Sequence, residues 1–264
     1  MTRTYVITGA GSGIGAKTRE LLLAAGANVV GVDIANADVI ADLSNPAGRA
    51  FGAQKAVEAA HGFVDGVIAC AGLATPTSAT VAVNYFGVKE FLEEMHPELA
   101  KSPAPRVAVT SSMASLMPND PDLVDAMLAN DEPRALARAE ALVAAGGGSE
   151  QLIYGSTKRA ISRWIRKVAP TADWAGASIP INAVGPGIVA TPMTADMLTT
   201  KEAVDGLLQQ VPMPLNGIME AEVIAKALIW LTSEDNTHMT GQTIYIDGGS
   251  DVVLRGDNIW DLAK

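Results

Sequence analysis

The chain alternates short runs of β-branched residues with longer segments of helical periodicity, and this alternation constrains its fold more than any other feature. Such a pattern predicts successive β-α-β units whose strands lie parallel in one sheet. The predicted strands are 4–8, 28–33, 39–41, 66–70, 106–110, 179–184 and 243–246. Because the 264 residues contain no repeat and no evident linker, we expect a single α/β domain, 1–264, with a doubly wound sheet of about seven parallel strands.

Helical periodicity fills the segments between these strands. The predicted helices run from the first turn to residue 25 and then over 46–60, 79–100, 120–145, 150–170 and 220–232, with a loop and short helices over 185–216. In the 150–170 helix, the apolar residues Ile161, Trp164, Ile165 and Val168 recur with the spacing of one helix face. That spacing predicts a face buried against the core.

Charge and composition exclude several classes of protein. The net charge is −10, which disfavours nucleic acid and anionic membranes as partners. No apolar run is long enough to span a bilayer, and the N-terminus lacks the apolar core of a signal peptide. The single cysteine, Cys70, cannot form an internal disulfide, so we expect a cytoplasmic protein. The three histidines, His61, His96 and His238, form no ligand pattern, so no metal site is expected.

A glycine-rich turn follows the first predicted strand. It contains Gly9, Gly11, Ser12, Gly13, Ile14 and Gly15. The N-terminus of the following helix offers free N–H groups and the positive end of a dipole, so a pyrophosphate can bind there if no side chain blocks its approach. By itself such a turn is weak evidence, because glycines serve many turns.

Asp33 ends the second predicted strand, about 20 residues after the glycine turn. A carboxylate at this point accepts hydrogen bonds from the adenosine ribose and repels a 2′-phosphate. Its neighbour Ile34 supplies no cation, so the sequence predicts NAD rather than NADP. Asp42, after the third strand, is either an acceptor for the adenine amino group or an ordinary turn residue.

Tyr154 and Lys158 are four residues apart on one predicted helix and share a face. An ammonium lowers the pKa of a nearby phenol from its usual value of ~10, so the pair can exchange a proton with an alcohol. Alone, the pair is better explained as two surface side chains. Ser112 follows the fifth strand, at the edge where ligands bind in open α/β sheets, and its hydroxyl either holds a substrate oxygen or caps a helix.

A Pro-Gly turn, Pro186 and Gly187, follows the sixth strand, and Thr191 comes shortly after it. This turn is predicted to face a nicotinamide carboxamide. Apolar residues here and after Ser112 predict either a substrate pocket or part of the core; they are Met113, Met117, Val189, Met193 and Met197. No Arg or Lys occurs in 185–200, which disfavours phosphorylated and acyl-carrier substrates.

Together these motifs resemble the short-chain dehydrogenase/reductase family over nearly the whole chain. Residues 8–15, TGAGSGIG, are similar to the family's cofactor motif, and Ser112, Tyr154 and Lys158 are similar to its serine and Tyr-x-x-x-Lys pair. The resemblance implies a Rossmann-type fold and metal-free interconversion of a secondary alcohol and a ketone. It implies that Asn84 helps to hold a water that links the lysine to solvent. It also implies cofactor contacts from Ile34, Asp42, Leu43, Cys70, Ala71, Gly72 and Ile188.

Within the family, three stretches resemble bacterial NAD-dependent 3α-hydroxysteroid dehydrogenases. They are residues 39–44, 70–73 and 83–87. This resemblance implies an apolar, alicyclic or steroidal alcohol or ketone as substrate and a homodimer or homotetramer. The alternatives are an enzyme for smaller cyclic or terpenoid alcohols and, more remotely, a non-catalytic NAD-binding regulator.

The sequence departs from the family pattern at two places. Cys70 stands where the family usually has asparagine, which removes hydrogen bonds between central strands. A helical insertion, 119–148, separates Ser112 from Tyr154. It either roofs the active site or covers a helix face that relatives use for assembly.

Overall fold

Seven strands form one sheet in a computed structural model of the chain, which describes residues 2–61 and 63–257. They are β1 (Thr4–Thr8), β2 (Asn28–Asp33), β3 (Val39–Ile40), β4 (Gly66–Ala69), β5 (Arg106–Thr110), β6 (Ile181–Pro186) and β9 (Thr243–Ile246). All neighbours pair in parallel, in the order β3-β2-β1-β4-β5-β6-β9. The prediction of a seven-stranded parallel sheet in a single Rossmann-like domain is therefore confirmed.

Helices cover both faces of this sheet. They are α1 (Gly13–Ala24), α2 (Pro46–Ala59), α3 (Ser78–Val81), α4 (Val88–Leu99), α5 (Pro121–Leu128), α6 (Glu132–Ala145), α7 (Leu152–Val168), α8 (Lys201–Gln210), α9 (Ala221–Leu231) and α10 (Ser250–Arg255). Among the described residues, no helix is both long and apolar enough to cross a membrane.

The core lies in two layers, one on each face of the sheet. On one face, the buried residues Phe91 and Ile161 represent the packing of α4 and α7 against the strands. On the other face, Leu22 and Leu228 represent the packing of α1 and α9. The predicted stripe of α7 faces the first layer, where Ile165 is fully buried.

Several element boundaries differ from those predicted. β6 starts later and continues through Gly185 and Pro186, which pair with Tyr245 and Ile246 of β9. A Cβ on Gly185 would lie 2.6 Å from the ring of Tyr245. The strand therefore needs glycine here for packing, and it does not end at this residue. The predicted 79–100 helix is interrupted by a π-helical segment, Ala82–Gly87.

Two further features, a two-stranded ladder and a helix, were not predicted. A short parallel ladder joins β7 (Val189–Ala190) to β8 (Met219–Glu220), and α10 follows the last strand. Both are too short to leave a periodic pattern in the sequence.

The insertion forms α5 and α6, which pack against α7 and α3. Asp120 accepts hydrogen bonds from Arg138 at 3.0 and 2.6 Å, and its backbone N–H donates to Ser156 on α7 at 2.9 Å. No described residue of 119–148 lines the cleft at the carboxyl edge of the sheet. The segment therefore does not form part of the cleft wall, and it packs on α7 and α3.

Candidate active site

A cleft of about 520 Å³ opens at the carboxyl edge of the sheet, where strand order reverses between β1 and β4. Such a reversal leaves a crevice in which α/β proteins bind their ligands. Twenty of the predicted site residues line this cleft. They are Gly9, Ser12, Gly13, Ile14, Gly15, Asp33, Ile34, Asp42, Leu43, Cys70, Ala71, Gly72, Ser112, Tyr154, Lys158, Pro186, Gly187, Val189, Thr191 and Met193.

The glycine turn leads directly into α1, whose N-terminus faces this cleft. Gly9 has φ +70°, and a Cβ there would lie 2.6 Å from the backbone nitrogen of Ala71. A Cβ on Gly15 would lie 2.0 Å from the carbonyl oxygen of Gly9. Within the described chain, Ser12 makes no side-chain cap and the first turn of α1 has no acidic residue. The free N–H groups and the positive dipole end at the N-terminus of α1 thus fit a diphosphate.

Asp33 lies at the end of β2 and is joined to the glycine turn. Its carboxylate accepts a hydrogen bond from the backbone N–H of Gly11 at 2.9 Å and from that of Ile34 at 2.6 Å. Gly11 does not itself line the cleft, but its N–H orients the carboxylate of Asp33, which does line it. The remaining acceptor capacity of Asp33 fits ribose hydroxyls.

Asp42 acts as a turn residue at the same end of the cleft. Its side chain accepts a hydrogen bond from the backbone N–H of Ser44 at 2.9 Å, and Asn45 donates to it at 3.3 Å. Hydrogen bonds from Ser44 are the main cause of its lowered pKa. Asp42 thus stabilises this turn and also lines the cleft wall, and its contact with an adenine stays a prediction.

Ser112 and Tyr154 meet at the opposite end of the cleft. The Ser112 hydroxyl oxygen accepts a hydrogen bond from the backbone N–H of Ala114 at 3.1 Å, which caps the 3₁₀ turn Met113–Leu116. The same hydroxyl makes a hydrogen bond with Tyr154 that favours the phenolate. Ser112 is therefore both a cap and a polar group beside the phenol.

Lys158 lies one helical turn after Tyr154 on α7. Its Nζ donates a hydrogen bond to the carbonyl oxygen of Thr110 at 2.9 Å and lies 5.7 Å from the centre of the Tyr154 ring. The side chain is 5% exposed. Burial lowers the pKa of Lys158 to about 8, so the ammonium form still predominates at neutral pH.

In the protein by itself, Tyr154 is less acidic than an ordinary phenol, and the lowering of its pKa by Lys158 stays a prediction. Burial raises the pKa of Tyr154 above its ordinary value, and the Ser112 hydrogen bond opposes this only in part. The physical reason is that an uncharged phenol is favoured where water is excluded.

Asn84 is fully buried in the π-helical segment and does not line the cleft. Its amide oxygen accepts a hydrogen bond from the Leu73 N–H at 2.7 Å, and its amide nitrogen donates to the Leu73 carbonyl at 2.9 Å. It also donates to the Thr157 hydroxyl at 3.2 Å. Asn84 thus joins the loop after β4 to the helix that carries Tyr154 and Lys158.

Cys70 lines the cleft close to Lys158. The Thr110 hydroxyl donates a hydrogen bond to its sulfur at 3.2 Å, which partly replaces the bonds of the usual asparagine. Burial raises the pKa of Cys70 to about 11, so the thiol stays protonated and behaves as a small apolar side chain.

The loop after β6 presents Thr191 and Met193 to the cleft. Thr194 fixes this loop, because its hydroxyl accepts a hydrogen bond from the Thr191 N–H at 3.1 Å and donates to the Val189 carbonyl at 2.6 Å. In contrast, Ile188 is 7% exposed and its N–H donates to the sulfur of Met213.

Six residues predicted for the site do not line the cleft. They are Gly11, Asn84, Ile188, Met113, Met117 and Met197. Met113 is a buried core residue at 4% exposure, whereas Met197 is half exposed on a 3₁₀ turn. Spacing after Ser112 could not separate a pocket from the core, because both need apolar side chains.

Sequence reasoning also missed several residues of the cleft. They include Leu73, Ala79, Val83, Thr110, Ser111 and Thr194. Thr110 contributes through its backbone carbonyl, for which the sequence gives no signal. Ser111 donates a hydrogen bond to the Lys158 carbonyl at 3.2 Å, and its place beside Ser112 at the end of β5 was the one available signal.

Comparison with known proteins agrees with this architecture. A family model described as "Enoyl-(Acyl carrier protein) reductase" matches residues 9–251. A 3-alpha-hydroxysteroid dehydrogenase/carbonyl reductase of Comamonas testosteroni is 36% identical over 255 residues, which cover 95% of this chain and 97% of that protein. A mitochondrial borneol dehydrogenase of Lavandula x intermedia is 27% identical and covers 98% and 95%.

Solved structures include one with both high similarity and a bound dinucleotide. The crystal structure of the 3-alpha-hydroxysteroid dehydrogenase from Pseudomonas sp. B-0831 complexed with NADH matches with a TM-score of 0.87 and 34% identity, covering 96% of this chain and 99% of that one. The family match and the identity over nearly the full length lead to one conclusion. The chain belongs to the short-chain dehydrogenase/reductase family of oxidoreductases.

Proposed function

We propose that this protein is an NAD-dependent oxidoreductase that interconverts a secondary alcohol and a ketone on an apolar, alicyclic or steroidal skeleton. One observation carries the proposal. A single cleft has the glycine turn and Asp33 at one end and Ser112, Tyr154 and Lys158 at the other. Relatives named for hydroxysteroids, at 34–36% identity, support the substrate class.

NAD fits the cleft in the orientation that these groups require. The N-terminus of α1 would hold the diphosphate, Asp33 would bind the adenosine ribose, and Tyr154 and Thr191 would face the nicotinamide half. The carboxylate of Asp33 disfavours the extra phosphate of NADP. Bound NAD would supply the hydride acceptor and a positive charge in the part of the cleft lined by Tyr154.

The protein's own residues handle the proton. Ser112 donates a hydrogen bond to the substrate oxygen and orients it toward Tyr154. The Tyr154 phenolate takes the hydroxyl proton during oxidation, and the phenol returns it during ketone reduction. Lys158, held by the Thr110 carbonyl, supplies positive charge that favours the phenolate. Asn84 positions the loop and helix around them.

The cleft is lined by the apolar side chains of Val189, Met193 and Leu73, which supports a hydrocarbon substrate. The loop 185–200 carries no Lys or Arg, which argues against phosphorylated or carrier-bound substrates despite the name of the matched family model. The alternative substrate is a smaller cyclic or terpenoid alcohol. The similarity to a borneol dehydrogenase supports this alternative.

We also propose that the protein is a homo-oligomer in the cytoplasm. The insertion covers part of α7 and α3, so assembly through that face would have to include α5 or α6. Light scattering of the purified protein tests the oligomer separately. We expect a mass that is a multiple of the monomer mass, and the mass of a monomer would contradict this part of the proposal.

The function is tested by following formation of the reduced cofactor with a 3α-hydroxysteroid, a monocyclic alcohol and borneol. Each alcohol is assayed with NAD and with NADP. We expect NAD to be preferred and the steroid to have the highest kcat/KM. A preference for the small alcohols would favour the alternative substrate class. Tight NADH binding without turnover of any alcohol or ketone would overturn the enzyme proposal and favour a regulator.

A further inference from the structure

Arg49 is a charged residue in the interior, 1% exposed, near the adenosine end of the cleft. It lies on α2, and the proposed chemistry assigns it no role. A guanidinium has five N–H donors and is costly to bury unless each has a partner. Its partners therefore show what it connects.

One group of partners belongs to the wall of the cleft. The Nε of Arg49 donates a hydrogen bond to the Leu43 carbonyl at 2.9 Å, and its Nη2 donates to the Ser44 carbonyl at 3.3 Å. Leu43 and Ser44 line the cleft next to Asp42. The guanidinium thus fixes the backbone of this wall from behind.

A second group of partners belongs to distant segments. Nη1 and Nη2 form a two-point ion pair with Glu132, at 2.9 and 2.6 Å, and Nη1 also bonds to Glu90 at 3.0 Å. Nη2 donates to the carbonyl of Ala82 in the π-helical segment at 3.1 Å. Glu132 is the first residue of α6 and so belongs to the insertion.

These carboxylates offset the cost of burying the Arg49 charge. Burial lowers the pKa of the guanidinium, but the hydrogen bonds of Glu132 and Glu90 reverse that effect and leave the pKa raised. Two-point pairing also fixes the plane of the guanidinium, and the orientation of that plane decides whether Nε points at the Leu43 carbonyl.

We infer that the helical insertion stabilises the adenosine end of the NAD site through the Glu132–Arg49 pair, so that both are positioning residues for dinucleotide binding. This rests on the proposed placement of adenosine beside Asp33 and Leu43. Neither side chain touches the reacting atoms. Their loss therefore affects NAD affinity and leaves the chemical step unchanged.

The test compares the wild-type protein with Glu132→Gln, which removes the charge but keeps nearly the same shape. Arg49 retains Glu90 in this variant, so the fold is expected to survive, and circular dichroism checks it. Glu140→Gln is the matched control, because Glu140 is exposed on the same helix. NADH fluorescence gives Kd, ADP-ribose competition isolates the adenosine half, and steady-state rates give KM for NAD and kcat.

We expect Glu132→Gln to raise the Kd values of NADH and ADP-ribose by a similar factor, about tenfold. KM for NAD should rise with them, and kcat at saturating NAD should stay at the wild-type value. Glu140→Gln should change none of these quantities. Arg49→Lys, which keeps the charge but not the two-point geometry, should weaken ADP-ribose binding as well.

An unchanged Kd in folded Glu132→Gln would overturn the inference, as would a fall in kcat with normal NADH binding. An effect on NADH but not on ADP-ribose would also contradict it, because the adenosine half would then be unaffected. Failure of the wild-type protein to bind NADH would instead overturn the proposed function itself.

Discussion

The Nζ of Lys158 donates a hydrogen bond to the carbonyl oxygen of Thr110 at 2.9 Å. This contact ties the middle of α7 to the end of β5. Tyr154 lies one helical turn before Lys158 on α7, and Ser112 lies two residues after Thr110. A backbone acceptor thus fixes the ammonium within reach of the phenol without neutralising its charge. The site can therefore hold a positive group in a largely buried position.

Replacing Tyr154 with Phe should lower kcat about a thousandfold, since it removes the group that transfers the proton. NADH should bind with wild-type affinity, as measured by fluorescence titration. Tyr245→Phe is the control, because that hydroxyl bonds to Ser115 and Tyr245 does not line the cleft. Near-normal turnover by Tyr154→Phe would refute the role of the phenol.

Alcohol oxidation should accelerate with rising pH between 7 and 9, whereas ketone reduction should not. Burial raises the pKa of Tyr154, so the phenolate needed for oxidation is the minor form over this range and its fraction grows with pH. Reduction needs the protonated phenol, which already predominates. Initial rates in both directions at saturating cofactor measure this, and a pH-independent oxidation rate would contradict it.

Lys158 should cost the folded protein stability near neutral pH. Its pKa is lowered to about 8 in the folded state, whereas the unfolded chain keeps this proton to a higher pH. Between these pKa values the unfolded state binds more protons, so the contribution of Lys158 to stability improves as pH rises.

Compared with wild type, Lys158→Met should therefore be relatively more stable at pH 7 than at pH 10, by about 2 kcal/mol in free energy of unfolding. Urea denaturation at both pH values gives the difference. Lys167→Met, at an exposed position of the same helix, is the control for loss of a lysine charge. An equal difference at both pH values would show that the lysine is not desolvated.

Asp33→Asn should reduce the preference for NAD over NADP about tenfold or more, because the negative charge that opposes the 2′-phosphate is removed. An amide oxygen can still accept the hydrogen bond from Gly11, so the turn should persist. The measurement is kcat/KM with each cofactor, with the exposed Asp122→Asn as control. An unaltered preference would mean that another group selects the cofactor.

Gly15→Ala should abolish NADH binding or folding, whereas Gly206→Ala should stabilise the protein by about 0.5–1 kcal/mol. Both glycines are helical, but a Cβ on Gly15 would lie 2.0 Å from the Gly9 carbonyl and one on Gly206 meets no atom within 4 Å. Thermal unfolding and NADH titration separate the two effects. Normal NADH binding by Gly15→Ala would contradict the packing of the turn.

Local patterns predicted the framework of the protein. The β-α-β alternation gave the parallel sheet, and the buried face of α7 followed from the spacing of Ile161 and Ile165. The glycine turn, Asp33, Ser112 and the Tyr154–Lys158 pair were found because each is defined by its position at a strand end or by one helical turn. These features depend on backbone periodicity, which is written in neighbouring residues.

Tertiary structure alone decided the rest. Periodicity shows that a face is buried but not what covers it, so the sequence could not choose between a roof and a cover for the insertion, nor separate Met113 in the core from Met193 in the cleft. Arg49 gave no signal, because its partners Leu43, Glu90 and Glu132 come together only when α2, α4 and α6 pack. The raised pKa of Tyr154 arises the same way, since desolvation depends on every segment that excludes water from the phenol.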